Sequence, residues 1–436
     1  MPHVILSSLG TDGDIFPYVG LGRALHARGH RVTLVASEDY RDLAAQNDFG
    51  FRPLVSAGEN HELLDNPDFW HPLKGPRIGA QWGVRLLPRN YELFADLARD
   101  PDSLFIANPA LLAARLVNEK FARPLVTPIL QPWMIRSSTA PPVMPAGMTL
   151  PRWAPPPIPW LYWRGVDAVG AMLLGRPLNA LRETLGLPPV RRVFEWWLSP
   201  DLVLGMFPDW FGPPQADWPP QVRLTGFPDF GGRPDARLDD DLLAFCEADP
   251  DARPIAVTFG TGMMHAADLF RATRDACERL GVRAVFVSRY ADQIPHPLPP
   301  AIRHVPHASF KQLFPRCAVV VHHGGVGTLA RALAAGTPQL TLPIAFDQKD
   351  NSIRLERLGV GAWMRAKRTT GPRLAGVLES LLTPQARSRA AHVARRFTVA
   401  ENALEIAADR VEELIATRTA NAAAAPAASR PQSSVV

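Results

Sequence analysis

The chain has 436 residues, 47% of them apolar and 20% charged, with a formal net charge of +5 at pH 7. That length is too great for one ordinary core, and the composition is that of a folded enzyme rather than a disordered or fibrous chain. The positive balance comes from scattered arginines, with Arg191-Arg192 and Arg395-Arg396 the densest pairs, so the clustered basic and aromatic stripe of a nucleic-acid face is excluded.

Cys246, Cys277 and Cys317 are an odd number without a CxxC pair, which argues against a disulfide framework or zinc site and fits a reducing cytosol. The start, MPHVILSSLG, lacks the basic segment and cleavage site of a signal peptide. No apolar run reaches the ~18 residues of a membrane span. A soluble, intracellular protein is expected.

In chain order, a short strand over His3 to Leu9 leads into a glycine-punctuated turn at residues 10–17, then a helix over Tyr18 to Arg28. Further strands are expected at Arg31 to Ala36, Ser103 to Ala107 and Pro124 to Ile129, with a helix over Ala110 to Phe121. Residues 131–164 are rich in Pro and Trp and suit the wall or lid of an apolar pocket. Ser199 to Phe207 resumes a strand pattern, and Phe211 to Pro234 reads as an interdomain connection.

A second strand–helix series follows: Ile255 to Phe259, a helix over Ala266 to Leu280, Ala284 to Ser288, Ile302 to Val305, Val319 to Val321, Gln339 to Leu342 and Gly361 to Arg365. The alternation predicts two parallel, doubly wound α/β domains. Boundaries are expected at 1–210 for the first, 211–240 for the linker and 241–395 for the second. A terminal helix over 396–418 and a low-complexity, disordered tail over 419–436 complete the chain.

Each half opens with a strand running into glycines, SSLGTDGDIFP and VTFGTGM. Neither is GxGxxG, and no acidic residue ends the second strand to hold a ribose, so a nicotinamide dehydrogenase is disfavoured. The densest signal is HHGGVGT at residues 322–328: a strand, a glycine turn and a helix start, which offers unpaired backbone N–H groups to a diphosphate. The polar cluster Asp347-Gln348-Lys349-Asp350-Asn351 follows the next strand, where open α/β sheets bind ligands. Asp239-Asp240-Asp241 reads as a helix cap rather than a metal site.

The stretches GTDGDIFPYVGLGRALHARGHRV, NPDFWHP, SPDLVLGMFPDWFGPPQADWP, LTGFP and the block from Pro315 to Gly361 resemble the GT-B nucleotide-sugar glycosyltransferases of families 1 and 28. Within these, the chain most resembles the rhamnosyltransferases of bacterial rhamnolipid synthesis. The resemblance implies two facing Rossmann-like domains with the active site in the cleft between them. It implies that His322, Gly325, Gly327 and Thr328 hold the donor diphosphate, with His323 less clearly assigned. Asp347 and Gln348 would bind the donor sugar, and Gly260 and Thr261 would contact the nucleotide.

The base-binding loop is expected at His307-Ala308, where Ser309 replaces the family's usual proline. Asp14 takes the place of the catalytic base, with a helix cap as its bland alternative. Tryptophans, including Trp70, Trp133 and Trp163, would line an apolar acceptor pocket. The implied reaction is inverting and metal-independent. It needs no cofactor beyond a dTDP- or UDP-linked sugar as co-substrate, and its best fit is rhamnose passing to a 3-hydroxyacyl lipid, with peripheral contact at the inner membrane. Two alternatives stand beside it: a UDP-glucose-dependent enzyme acting on a sterol, carotenoid or polyketide aglycone, and a non-catalytic helper subunit of the same fold.

Overall fold

The structure is a computed structural model that describes residues 2–144, 149–151, 153–229, 237–249, 251–398 and 402–424. Its first sheet joins seven strands in the order β3-β2-β1-β4-β5-β6-β7. These are β1 (His3–Ser7), β2 (Arg31–Ser37), β3 (Gly50–Val55), β4 (Ser103–Ala107), β5 (Leu125–Ile129), β6 (Leu202–Gly205) and β7 (Val222–Leu224). The second sheet runs β10-β9-β8-β11-β12-β13. Its strands are β8 (Ile255–Thr258), β9 (Ala284–Val287), β10 (Ile302–Val305), β11 (Val319–His322), β12 (Gln339–Thr341) and β13 (Gly361–Trp363).

Every strand pairing is parallel. Parallel sheets are covered on both faces, which is why β1, β8 and β11 read as unbroken apolar runs rather than alternating ones. The order reverses between β1 and β4 in the first sheet and between β8 and β11 in the second. Chains leave such a point in opposite directions, opening a crevice at the carboxyl ends of the strands. Both glycine turns and the HHGG segment lie at these two points.

Beyond shifts of a few residues at element ends, three stretches differ from the sequence reading. The first helix spans Asp12–Ala27, so most of the expected turn is already helical. Pro17 stands inside this helix, at its sixth position, and gives no N–H to the ladder there. The stretch read as linker carries β7, which pairs with β6, while residues 230–236 of that stretch lie outside the described residues. The terminal helix spans Ala403–Ala424, so the first six residues of the expected tail are helical and the rest lie outside the described residues.

That terminal helix returns to the first sheet. Leu404, Ala407, Ala408 and Val411 pack into the core cluster built on Val4, Leu6 and Leu25. Arg28 reaches Glu405, Asp409 and Glu412 at 2.6–2.8 Å along its rim. Partly exposed ion pairs are worth about 0–1 kcal/mol each, whereas each fully buried Leu or Val contributes about 2 kcal/mol, so the apolar seam holds the helix and the arginine sets its register.

Candidate active site

The residues expected to hold the donor gather at the second sheet's reversal point. Gly324 adopts φ +94° and Gly260 φ +90°, conformations that only glycine takes without strain. A Cβ on Gly325 would come within 2.3 Å of His323 Nε2, and one on Gly260 within 2.9 Å of His323 Cε1. The His323 ring is therefore seated between the two glycine turns. No side chain caps the helix Val326–Ala334 that follows. Its first N–H groups, on Val326, Gly327 and Thr328, remain available to an anion.

His322 is corrected by its surroundings. It is fully buried; its Nδ1 accepts from the Gly324 N–H at 3.1 Å, and its Nε2 faces Gln339 Oε1 at 2.9 Å. With Nδ1 accepting, Nε2 carries the proton and donates to Gln339, so neither nitrogen is left for a phosphate. Burial, with His323 beside it, drives His322 down to about 3, and burial alone takes His323 to about 4. Both are neutral at pH 7. The His323 Nδ1 is buried without a hydrogen-bond partner, which makes it the imidazole of the pair with an unsatisfied nitrogen.

Asp347 begins the helix Gln348–Arg357 but does not cap it with its side chain. Its Oδ2 instead accepts from Asn351 Nδ2 at 2.6 Å, and the same amide reaches the Gly324 carbonyl at 3.0 Å. Asn351 thus ties Asp347, at the start of this helix, to the glycine turn. Burial raises the Asp347 carboxyl to about 7, opposed by its own backbone N–H and Asn351 and reinforced by the charges of Asp14 and Asp350. Gln348 spends its carbonyl on the Ile344 and Ala345 N–H groups at 2.8 and 3.0 Å, leaving its NH2 as the donor a sugar can use.

Asp14 lies in the first turn of the helix Asp12–Ala27, half-buried. Its Oδ2 accepts from the Thr11 N–H at 2.9 Å and the Thr11 hydroxyl at 3.1 Å. Thr11 is the N-cap residue, so Asp14 serves the helix start from the third helical position rather than as the cap itself. Desolvation pushes its pKa up, partly offset by the two Thr11 bonds. Gly10, at φ +122°, is required here, because a Cβ would lie 2.3 Å from the carboxylate.

The two sides meet. A Cβ on Gly262 would fall 2.3 Å from Thr11 Cγ2, and Arg289, just past β9, approaches Asp12 at 3.5 Å. Thr261 lies in this turn, its carbonyl accepting from Tyr290 Oη at 2.9 Å. Phe346, at φ +52°, packs its ring against Phe69 and Trp70 from the first half at 5.2 and 6.0 Å. His307 and Ala308 follow β10 at the outer edge of the second sheet, His307 exposed and Ala308 packed on the core beneath.

The three pocket tryptophans do not form one wall. Trp70 packs onto the core of the second half and donates to the Leu64 carbonyl, so it plugs the interdomain seam. Trp163 is 5% exposed and donates to Ser138 Oγ at 3.0 Å, which makes it a packing residue. Only Trp133, in the turn after β5, keeps a buried indole N–H without a partner among these three. Trp153 and Trp160, further members of the Pro/Trp stretch, face solvent.

Four participants escaped sequence reasoning: Gly10, Gly262, Asp350 and Asn351 in their bridging roles. The last two stand inside the polar cluster already singled out. Only their long-range partners, Val143 for Asp350 and Gly324 for Asn351, were invisible. Asp239 accepts from the Leu242 N–H at 2.6 Å, the helix cap expected of it.

Residues 4–138 match the glycosyltransferase family 28 N-terminal domain, and residues 284–414 match the C-terminal domain of erythromycin biosynthesis protein CIII-like proteins. The chain is a GT-B glycosyltransferase, of the family 28 type in its first half and EryCIII-like in its second. It is 28% identical to the O-mycaminosyltylonolide 6-deoxyallosyltransferase of Streptomyces fradiae over 444 residues, covering 96% of this chain and 98% of the relative. It is 25% identical to a sterol 3-beta-glucosyltransferase of Candida albicans over 387 residues, covering 82% of this chain and 24% of that longer protein. The solved structure of spinosyn rhamnosyltransferase SpnG complexed with thymidine diphosphate matches with a TM-score of 0.66 at 19% identity, covering 94% of this chain and all of that one.

Proposed function

We propose that this glycosyltransferase moves a deoxyhexose, rhamnose in the first instance, from a dTDP-linked donor to a hydroxyl of an apolar acceptor with inversion. A 3-hydroxyacyl lipid is the leading acceptor. The observation that carries the reading is the contact of the two halves beside Asp14: a Cβ on Gly262 would fall 2.3 Å from Thr11 Cγ2, and Thr11 holds the Asp14 carboxylate, while the charge of Asp14 adds to the rise at Asp347. A base from the first half thereby faces the sugar-binding carboxylate of the second.

In this reading Asp14 takes the proton of the acceptor hydroxyl as it attacks the anomeric carbon. The leaving diphosphate is met by the Val326, Gly327 and Thr328 N–H groups, the helix dipole and the His323 ring, donors fixed before the reaction begins. Those donors supply the charge stabilisation without a metal ion. Gly260, Thr261, His307 and Ala308 hold the nucleoside, and Asp347 with the Gln348 amide holds the sugar hydroxyls.

The thymidine diphosphate in the SpnG structure and the deoxyallosyl transfer named for the Streptomyces relative support a dTDP-deoxysugar donor. The similarity to a sterol glucosyltransferase favours a second reading, UDP-glucose transferred to a sterol or polyketide aglycone. A helper subunit is disfavoured by the presence of Asp14, His323 and Asp347 together. Mass-spectrometric product analysis with a panel of nucleotide sugars and hydroxylated acceptors decides. Turnover of dTDP-rhamnose with hydroxyacyl lipid supports the first reading; turnover of UDP-glucose alone replaces it with the second. The cytoplasm is the proposed site of the reaction. Among the described residues no helix is long and apolar enough to cross a membrane.

A further inference from the structure

Among the described residues, seven large apolar side chains are strongly exposed, and six fall in one short stretch: Trp153, Ile158, Trp160, Leu161, Val169 and Met172. The exposure is extensive, from 45% for Ile158 to 80% for Trp153. Most of them sit on the helix Ile158–Gly170 and the wide turn Ala171–Gly175 that prolongs it. Leu161, Ala168 and Met172 fall at spacings of seven and four, so they share one outward face.

The opposite face is committed to the protein. Trp163 is buried there against Ser138, with the Arg136 guanidinium 4.6 Å over its ring. From Ser138 the chain runs on to Val143, whose N–H reaches Asp350 three residues beyond Asp347. The exposed face is thus mounted on the segment that meets the second half beside Asp347.

Charge selects the occupant. Between residues 153 and 176 the sole acidic residue is Asp167, and it is turned inward, 12% exposed and paired with Arg136 and Arg192. The exposed charges are Arg164, stacked 4.7 Å over Trp160, and Arg176. Exposed indoles, aliphatic side chains and cations without a carboxylate suit a bilayer bearing anionic headgroups, where indoles settle at the interface and arginines meet phosphates. A second copy of the chain would find no acidic counterpart on this same face.

We infer that residues 153–176 dock the enzyme on an anionic membrane surface. Docking does not require the acceptor to be a lipid, so a substrate-free assay keeps this inference separable from the proposed reaction. Flotation of the full chain with phosphatidylcholine vesicles, with and without phosphatidylglycerol, is the test. Wild type is expected to float with the phosphatidylglycerol vesicles.

The triple variant Trp160→Ser, Leu161→Ser, Met172→Ser is expected to lose about tenfold or more in partitioning, with its melting temperature and donor hydrolysis unchanged. Arg164→Glu with Arg176→Glu is expected to abolish the preference for phosphatidylglycerol. Flotation of the triple variant equal to wild type would overturn the inference. So would wild type that ignores both vesicles, including the case where it sediments as a dimer that the triple variant dissolves into monomers.

Discussion

Asp350 accepts a hydrogen bond from the Val143 N–H at 2.8 Å, across 207 positions of sequence, while its other oxygen holds Arg354 Nε at 2.7 Å. Arg354 in turn donates to the Phe211 carbonyl at 3.0 Å. One buried carboxylate therefore fixes a loop of the first half against the helix that carries Asp347 and Gln348. Replacing it by alanine strands the Val143 N–H and a largely buried guanidinium, a loss of about 3 kcal/mol in stability. The functional expectation is narrower: in Asp350→Ala the acceptor KM rises about tenfold while donor hydrolysis is unchanged, as befits a positioning residue. Steady-state kinetics with each substrate varied in turn checks the split; equal effects on both would remove the latch.

The two histidines at the end of β11 should separate by what they lose. His322→Ala leaves the Gln339 Oε1 and the Gly324 N–H unpaired inside the sheet, and about 3 kcal/mol of stability is expected to go with them. His323→Ala should fold normally and bind thymidine diphosphate roughly tenfold more weakly, the worth of one hydrogen bond to a charged group. Thermal unfolding and calorimetric titration of both variants read these outcomes. Weakened nucleotide binding in a stable His322→Ala, with His323→Ala unaffected, would restore the sequence assignment.

Gly262 sets how closely the halves approach. Its missing Cβ is the space occupied by Thr11 Cγ2, and Thr11 is the residue that orients the Asp14 carboxylate. Gly262→Ala is expected to lower kcat about tenfold with the affinity for thymidine diphosphate preserved. An unaltered kcat in this variant would mean that the contact is not made during turnover.

Asp347 makes stability depend on pH. Burial raises it to about 7, whereas an unfolded Asp titrates near ~4. The folded state holds the proton more tightly, so the contribution to stability is complete below about pH 4 and is lost as the pH rises through about 7. Asp347→Asn, which cannot ionise, should therefore melt a few degrees above wild type at pH 8 and level with it near pH 4. Calorimetry at the two pH values checks this; an offset independent of pH would contradict it.

The parallel architecture was legible because buried strands such as Val319–Val321 are unbroken apolar runs, a pattern that survives without tertiary information. The HHGG turn and the Asp347-Gln348 pair stood out for a local reason too: glycines after an apolar strand and polar residues at a helix start mark positions, not roles. What stayed hidden depends on distance. Only the fold shows that His322 points into the sheet toward Gln339, that Trp163 turns inward onto Ser138, and that Val222–Leu224, amid prolines, completes the first sheet. Short edge strands such as β7 bury too little to leave a pattern.

The central claim is that Asp14 in the first half acts as base on a sugar held by the second. The most direct measurement is the single-turnover rate of sugar transfer by Asp14→Asn, which keeps an acceptor oxygen for Thr11 but cannot take a proton. The expected result is transfer slowed about a thousandfold, with nucleotide affinity unchanged. In wild type the rate should fall with decreasing pH at a value above the ordinary carboxylate range, since desolvation raises Asp14 and only its ionised form accepts a proton. Transfer by Asp14→Asn at the wild-type rate, with the same pH profile, would contradict it.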